Sequence, residues 1–149
     1  MTISTNSSPI QIALYGVAHG HIAHYLGEFS KFNGAHVIGV YDDNYERVIS
    51  FCNKHGLRSY ENPEELLSQK IDVVIIGCET AHHLKAVSLA CRYVQNIALQ
   101  KPLATTIIDG RKILEKIQKS GSQLLMLWQM RVDPENKFIK QIIDENHLG

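Results

Sequence analysis

The sequence predicts an α/β protein built on a doubly wound parallel sheet of about six strands, with helices on both faces. Three observations lead to this. Short apolar segments alternate with helical ones along the 149 residues. At least ten residues separate most successive strands, as parallel crossover connections require. Residues 71–78 form the most apolar segment and lack polar alternation after Asp72, which is typical of a strand buried on both faces.

The strands are expected where apolar and β-branched residues form short runs. These runs are residues 10–15, 35–41, 71–78, 96–99 and 124–128, with a weaker strand at 58–60. The helices are expected where apolar residues recur every three or four positions. They cover residues 20–32, 44–55, 81–94 and 105–120, and two more begin at Asn62-Pro63 and Asp133-Pro134. Asparagine or aspartate followed by proline is typical of a helix cap and first turn.

Composition excludes several classes of function. The 15 basic and 15 acidic residues cancel, so the chain lacks the basic field on which nucleic-acid binding depends. Lysine and arginine are scattered, which argues against adhesion to a membrane surface. The longest apolar run has about six residues, whereas a membrane-spanning helix needs about 20. We therefore expect neither nucleic acid nor membrane among the partners.

The cysteines and the N-terminus predict a cytoplasmic location. Cys52, Cys78 and Cys91 form no CxxC pair, so a metal knuckle or redox motif is not expected. Unpaired thiols fit a reducing compartment. Residues 1–9 are mostly Ser, Thr and Asn and lack the basic start and apolar stretch of a secretory signal, so they are predicted to be a disordered tail before a domain at 10–149.

The turn after the first strand is the first candidate site, because doubly wound sheets bind ligands at the carboxyl ends of their strands. Placed on the dinucleotide fingerprint GxGxxG, its three positions are Gly16, Ala18 and His21, and only the first keeps glycine. Backbone N–H groups and the following helix dipole can still hold a phosphate there. The expected cofactor contacts of this Rossmann-like turn are Gly16, Val17, Ala18, His19, Gly20, His21 and Ile22.

Asp42 follows the second strand, 26 residues after Gly16, close to the spacing of a ribose-binding acid. Its carboxylate would accept hydrogen bonds from the ribose hydroxyls of NAD. It would repel a 2′-phosphate by about 4 kcal/mol at contact for an effective dielectric of about 20. NAD is therefore expected over NADP, although Arg47 could turn toward the site. The alternative is that Asp42, Asp43 and Asn44 form only a turn and a helix cap.

Lys101 is the candidate catalytic residue. It is followed by Pro102 directly after the apolar segment 96–99, so it lies at the carboxyl edge of the sheet. An ammonium there can orient a substrate hydroxyl or carbonyl, or take part in proton transfer. The alternative is an ordinary solvated lysine in a loop.

With these motifs the chain resembles the glucose–fructose oxidoreductase and inositol dehydrogenase family (Gfo/Idh/MocA) from residue 10 to residue 149. The family shows a GxGxxGxxH first turn, a histidine after the fourth strand, a Glu-Lys-Pro signature after the fifth, an arginine after the sixth and a late Leu-Gly turn. The matching residues are Gly16 and His24, His83, Gln100-Lys101-Pro102, Arg131 and Leu148-Gly149. The sequence departs from the family at Ala18, His21 and Gln100.

The resemblance implies an NAD(P)-dependent oxidoreductase that transfers hydride to or from a sugar, cyclitol or related alcohol. It places Lys101 near the nicotinamide and adds Cys78, His83 and Gln100 to the expected cofactor contacts. It also implies a second domain beyond residue 149 that supplies substrate contacts and an oligomer interface, so this fragment would bind cofactor without turnover. The alternatives are a non-catalytic nucleotide sensor or scaffold and, last, a flavodoxin-like or receiver-type signalling domain.

Histidines cluster on two of the loops expected at the ligand-binding edge: His19, His21 and His24 on one, and His82 and His83 on the other. No cysteine or carboxylate accompanies them at ligand spacing, so no metal site is predicted. Trp128 and Met130 are expected to line the core or the cleft rather than form a recognition motif.

Overall fold

Five parallel strands form one sheet in the computed structural model, which describes residues 8–31, 34–147 and 149. The strands are β1 Ile10–Tyr15, β2 Ala35–Tyr41, β3 Val73–Ile76, β4 Asn96–Leu99 and β5 Gln123–Met126, in the order β2-β1-β3-β4-β5. This confirms the doubly wound parallel sheet. Residues 1–7 of the predicted tail and Leu148 of the predicted Leu-Gly turn lie outside the described residues.

The segment 58–60, expected as a weak strand, is only a single parallel bridge between Ser59 and Val40. It lies on the outer side of β2, so counting it gives the strand order 3-2-1-4-5-6 of dinucleotide-binding sheets. The segment stays short because it falls between Gly56, which ends one helix, and Asn62, which caps the next. The sheet therefore has five strands rather than about six.

Six α-helices connect or follow the strands among the described residues. They are α1 His21–Phe29, α2 Tyr45–His55, α3 Pro63–Leu67, α4 His83–Ala90, α5 Ile107–Ser120 and α6 Pro134–Asp144. The predicted caps form: the side chain of Asn62 accepts the N–H of Glu64 at 2.7 Å, and that of Asp133 accepts the N–H of Glu135 at 2.9 Å. α4 is shorter than predicted because a 3-10 turn, Thr80–His82, precedes it and residues 91–93 form turns after it.

The two faces of the sheet carry separate cores. One face packs under α3, α4 and α5, and the other packs under α1 and α2. β3 shows the double burial directly, because Val74 and Ile76 point to the first face and Ile75 to the second, all at most 5 % exposed. Burial on both faces accounts for the uninterrupted apolar pattern of this strand.

The chain after β5 leaves the sheet, and beyond Leu127 most of its apolar side chains are exposed. Trp128 is 49 % exposed and Met130 is 59 % exposed, so of the two places expected for them, the core or the cleft, the core is excluded. Phe138 and Ile139 of α6 are also exposed, because α6 packs beside the turn Gln129–Arg131 rather than on the sheet. No helix in the described part of the chain has the length and apolar character needed to cross a membrane.

Candidate functional site

Gly16 brings the end of β1 against the end of β3. Its φ is +85°, and a Cβ atom built on it would lie 2.4 Å from the backbone nitrogen of Cys78. Its N–H donates to the carbonyl oxygen of Tyr41 on β2 at 2.6 Å. A left-handed conformation and a close backbone approach both require glycine, which is what the first fingerprint position supplies.

Gly77 supplies the close packing between helix and strand that the third fingerprint glycine would otherwise provide. A Cβ atom on Gly77 would lie 2.5 Å from the side chain of Ile22, the buried residue of α1. His21 occupies the third fingerprint position but turns toward His19, with the ring centroids 4.7 Å apart. A histidine is therefore accommodated, and Gly77 is a residue that the sequence did not single out.

The first turn leaves two amides free at the start of α1. The Val17 N–H donates to Asp42 Oδ2 at 2.7 Å, and the His19 N–H donates to the Gly77 carbonyl at 3.1 Å. Among the described residues, the N–H groups of Ala18 and Gly20 have no protein acceptor. Amides at a helix N-terminus bind anions such as a pyrophosphate.

Asp42 lies beside this turn, with its carboxylate enclosed by the protein. The side chain is 1 % exposed. Oδ2 accepts the Val17 N–H, whereas Oδ1 accepts the Asn44 N–H at 2.8 Å and two hydrogen bonds from Arg47, Nε at 3.0 Å and Nη2 at 2.7 Å. Asp42 thus joins the first turn to the start of α2, and Asn44 caps that helix. The turn and the helix cap that the alternative predicted are therefore present. They use the same Asp42 carboxylate that is expected to bind the ribose.

Arg47 extends this network to the end of β3. Its Nη1 donates to Glu79 Oε1 at 2.8 Å. The hydrogen bond from Arg47 lowers the pKa of Glu79, and the hydrogen bonds to Asp42 and Glu79 raise the pKa of Arg47. Glu79 was not predicted from the sequence, because no local pattern marks a carboxylate that pairs with an arginine 32 residues earlier.

Asp43 forms a neighbouring group with a tyrosine and a lysine. The Tyr41 hydroxyl donates to Asp43 Oδ1, and Lys85 Nζ lies 3.4 Å from Asp43 Oδ2. Burial opposes ionisation of Asp43, but these hydrogen bonds and the lysine charge lower its pKa overall. This edge of the sheet therefore carries two aspartates, Asp42 beside Arg47 and Asp43 beside Lys85.

Gln100 anchors the loop that carries Lys101. It is 1 % exposed. Its Oε1 accepts the Lys101 N–H at 2.9 Å, and its Nε2 donates to the Tyr25 hydroxyl of α1 at 3.2 Å. The amide thereby fixes the direction in which the chain leaves β4. Lys101 itself is partly exposed and lies within the electrostatic range of His19.

His83 lies beneath the Lys101 loop. It is 1 % exposed, and its Nδ1 is 3.2 Å from the carbonyl oxygen of Leu103, two residues after Lys101. Its Nε2 is buried and has no hydrogen-bond partner among the residues that the structure describes. The structure therefore places His83 in contact with the loop. Cys78 is also buried, and burial raises the pKa of its thiol to about 12, so the thiol stays protonated.

His19 and His21 lie together in the first turn, and His19 is close enough to Lys101 to be influenced by its charge. His21 Nδ1 is 3.2 Å from the side-chain nitrogen of Gln129, which follows β5. Burial, followed by the neighbouring His21, Lys101 and His83, lowers the pKa of His19, so its imidazole is neutral at pH 7. Within residues 8–31, 34–147 and 149, no group of three or more metal-ligating side chains is placed to hold an ion. All three cysteines are free thiols.

Comparison with known proteins identifies relatives for this arrangement. Residues 10–127 match the model of the family GFO_IDH_MocA, described as an oxidoreductase family with an NAD-binding Rossmann fold. The chain is 26 % identical to oxidoreductase P35 of Formosa agariphila over 123 residues, covering 81 % of the chain and 38 % of that protein. It is 27 % identical to inositol 2-dehydrogenase of Salmonella typhimurium over 121 residues, covering 78 % of the chain and 36 % of that enzyme.

A similar fold occurs in the crystal structure of the WlbA dehydrogenase from Chromobacterium violaceum in complex with NADH and UDP-GlcNAcA. The TM-score is 0.85 at 21 % identity, over 97 % of this chain and 42 % of that one. The chain thus spans about two fifths of the length of the relatives that it matches.

Proposed function

This chain belongs to the Gfo/Idh/MocA oxidoreductase family, and from that premise we propose that it is the cofactor domain of a dehydrogenase. The reaction would transfer hydride between a nicotinamide and a sugar, cyclitol or related alcohol. The relatives are named as dehydrogenases and oxidoreductases, which favours this function over a non-catalytic nucleotide sensor. The observation that carries the proposal is the first turn, where Gly16 allows close approach and the amides of Ala18 and Gly20 are free.

We propose that the dinucleotide lies along the carboxyl edge of the sheet. The pyrophosphate would accept hydrogen bonds from Ala18 and Gly20, the adenosine ribose would lie at Asp42, and the nicotinamide would lie toward Lys101. The position of Asp42 at the end of β2 supports NAD as the main cofactor. When bound, the nicotinamide supplies the hydride donor or acceptor, and Lys101 would hold or move the proton of the substrate hydroxyl. Substrate contacts and an oligomer interface would come from a further domain.

The proposal predicts that this 149-residue chain binds NADH, as measured by titration calorimetry. Gly20→Asp is expected to weaken NADH binding about tenfold or more, because a carboxylate would face the pyrophosphate. Gly20 has open space around its Cβ position, so the fold should tolerate the change. Gly20→Asn is the control of equal size without charge and should bind within about threefold of the original chain. Absence of heat at millimolar NADH and NADPH would contradict the proposal.

The place of Lys101 can be tested by NMR with two ligands. NADH should shift the backbone amide signals of Lys101 and of the Asp42 region, whereas ADP-ribose, which lacks the nicotinamide, should shift those of the Asp42 region alone. Equal shifts at Lys101 with both ligands would place the nicotinamide elsewhere.

A further inference from the structure

The first turn carries two histidines to which the proposed function gives no role. His19 and His21 stand on either side of Gly20, and their ring centroids are 4.7 Å apart. His21 takes the place of the third fingerprint glycine, and residues 16–24 contain neither lysine nor arginine. Glycine has no side chain with which to contact a ligand, so the imidazole of His21 is a group that the fingerprint itself does not contain.

Each of the two imidazoles has one nitrogen occupied by a protein donor. The backbone N–H of His21 donates to His19 Nδ1 at 3.4 Å, and the side-chain nitrogen of Gln129, which can only donate, lies 3.2 Å from His21 Nδ1. In a neutral imidazole, the nitrogen that accepts a hydrogen bond carries no hydrogen, so the hydrogen lies on the other nitrogen. Both neutral rings are therefore Nε2–H donors.

These two N–H groups belong to a cluster of donors without acceptors. Within residues 8–31, 34–147 and 149, neither Nε2 has a hydrogen-bond partner, and the amides of Ala18 and Gly20 are free as well. The titratable groups that influence His19 are His21, Lys101 and His83, and none of them is a carboxylate. Several convergent N–H donors at a helix N-terminus are suited to a phosphate.

Ala18 gives the imidazole donors a physical purpose. The second fingerprint glycine lets the backbone come close to the pyrophosphate. Ala18 places a methyl group at that position, so a pyrophosphate would lie farther from the backbone amides. An imidazole carries its Nε2 well beyond the backbone, and it can donate to a phosphate oxygen at that greater distance.

We propose that the Nε2–H groups of His19 and His21 bind the pyrophosphate of the dinucleotide and replace the close backbone contact that the second fingerprint glycine allows. This rests on the proposed function and deepens it, because it adds two side-chain ligands to the amides of the first turn. The two rings donate as neutral groups. The histidines of this turn are thus phosphate ligands that stand where the fingerprint has lost its glycines.

Calorimetry on the 149-residue chain tests the proposal with NADH and ADP-ribose, which both contain the pyrophosphate. The double variant His19→Phe/His21→Phe keeps two rings but removes their donors, so the Kd should rise about tenfold or more for both ligands. His19→Gln/His21→Gln keeps a side-chain N–H at each position and should bind within about threefold of the original chain. His36→Phe, at an exposed position near the amino end of β2, is the matched control and should change the Kd less than about twofold.

NMR of the original chain labelled with ¹⁵N-histidine provides an arm that needs no variant. Without ligand, both rings of the first turn should be protonated at Nε2. ADP-ribose should shift the Nε2 signals of His19 and His21 and leave those of His36 in place. Protonation at Nδ1 in the free chain, or the absence of these shifts at saturating ADP-ribose, would contradict the donor role. Circular dichroism verifies that each calorimetry variant is folded.

Ala18→Gly tests the link between the histidines and the missing glycine. In that background the pyrophosphate can approach the backbone, so the loss caused by His19→Phe/His21→Phe should fall below about threefold. An undiminished loss would show that the imidazoles do not replace the glycine.

The calorimetric outcomes separate this inference from the proposed function. An unchanged Kd in the phenylalanine variant, an equal loss in the glutamine variant, or a loss for NADH but not for ADP-ribose would overturn the role of the histidines. Each of these results would leave the proposed function standing. Binding of neither ligand by the original chain or by the glutamine variant would remove both proposals.

Discussion

Gly16→Ala is expected to lower the free energy of unfolding by about 3 kcal/mol or more, the sum of a left-handed backbone penalty and overpacking. The φ of +85° disfavours any side chain, and the new methyl group would lie 2.4 Å from the Cys78 backbone nitrogen. The Cα and Cβ atoms of Cys78 would lie at 2.5 Å as well, so there is little room for adjustment. Urea denaturation monitored by circular dichroism measures the loss.

Gly20→Ala is the matched control in the same turn. Gly20 has a φ of −56°, and no atom lies within 4 Å of its Cβ position. Alanine at a compatible glycine position changes stability by about 1 kcal/mol or less, usually as a gain. Equal losses in the two variants would mean that the Gly16 contact does not hold β1 against β3.

Asp42→Ala is expected to lower the free energy of unfolding by about 2 to 4 kcal/mol, because it removes the acceptor of one buried amide, Val17, and of two partly buried donors, Asn44 and Arg47. The Val17 and Asn44 amides lose their partner, and Arg47 keeps only Glu79. The partial exposure of Arg47 places the expected loss below that of a fully buried ion pair.

Asp43→Ala is the control for Asp42→Ala, and thermal and urea unfolding of the two variants make the comparison. Asp43 lies at the same edge, but its side chain is 30 % exposed and its partner Lys85, at 66 %, can turn to solvent. Its loss should be about 1 kcal/mol or less. A loss at Asp43 as large as that at Asp42 would show that the enclosed hydrogen bonds of Asp42 are not the source of its effect.

Local patterns in the sequence were sufficient for most of the fold. β3 could be predicted because burial on both faces removes polar alternation, and the starts of α3 and α6 because Asn62 and Asp133 precede prolines. The weak strand predicted at 58–60 forms only a bridge because the end of α2 and the start of α3 leave few residues between them. Such competition depends on where neighbouring elements pack, which the local pattern does not contain.

The candidate site was predictable at positions where the backbone conformation admits only one type of residue. Gly16 is such a position. The packing of Gly77 against Ile22 joins residues 55 apart, and His21 meets Gln129 from 108 residues away, so periodicity carries no signal for either. Arg47 was noticed as a nearby cation, but its two hydrogen bonds to Asp42 needed the start of α2 in three dimensions.

The bond between Asp42 and the Val17 amide has a consequence for how this domain can change over generations. The Asp42 carboxylate, whose position supports NAD over NADP, also accepts a hydrogen bond from the turn that would bind the pyrophosphate. A single substitution at Asp42 therefore changes the choice of cofactor and the stability of the first turn at the same time. Conversion from one cofactor to the other therefore requires a second, compensating acceptor for Val17. Arg47 donates to Asp42 Oδ1 alone, so a substitution at Arg47 leaves the hydrogen bond between Asp42 Oδ2 and the Val17 amide in place.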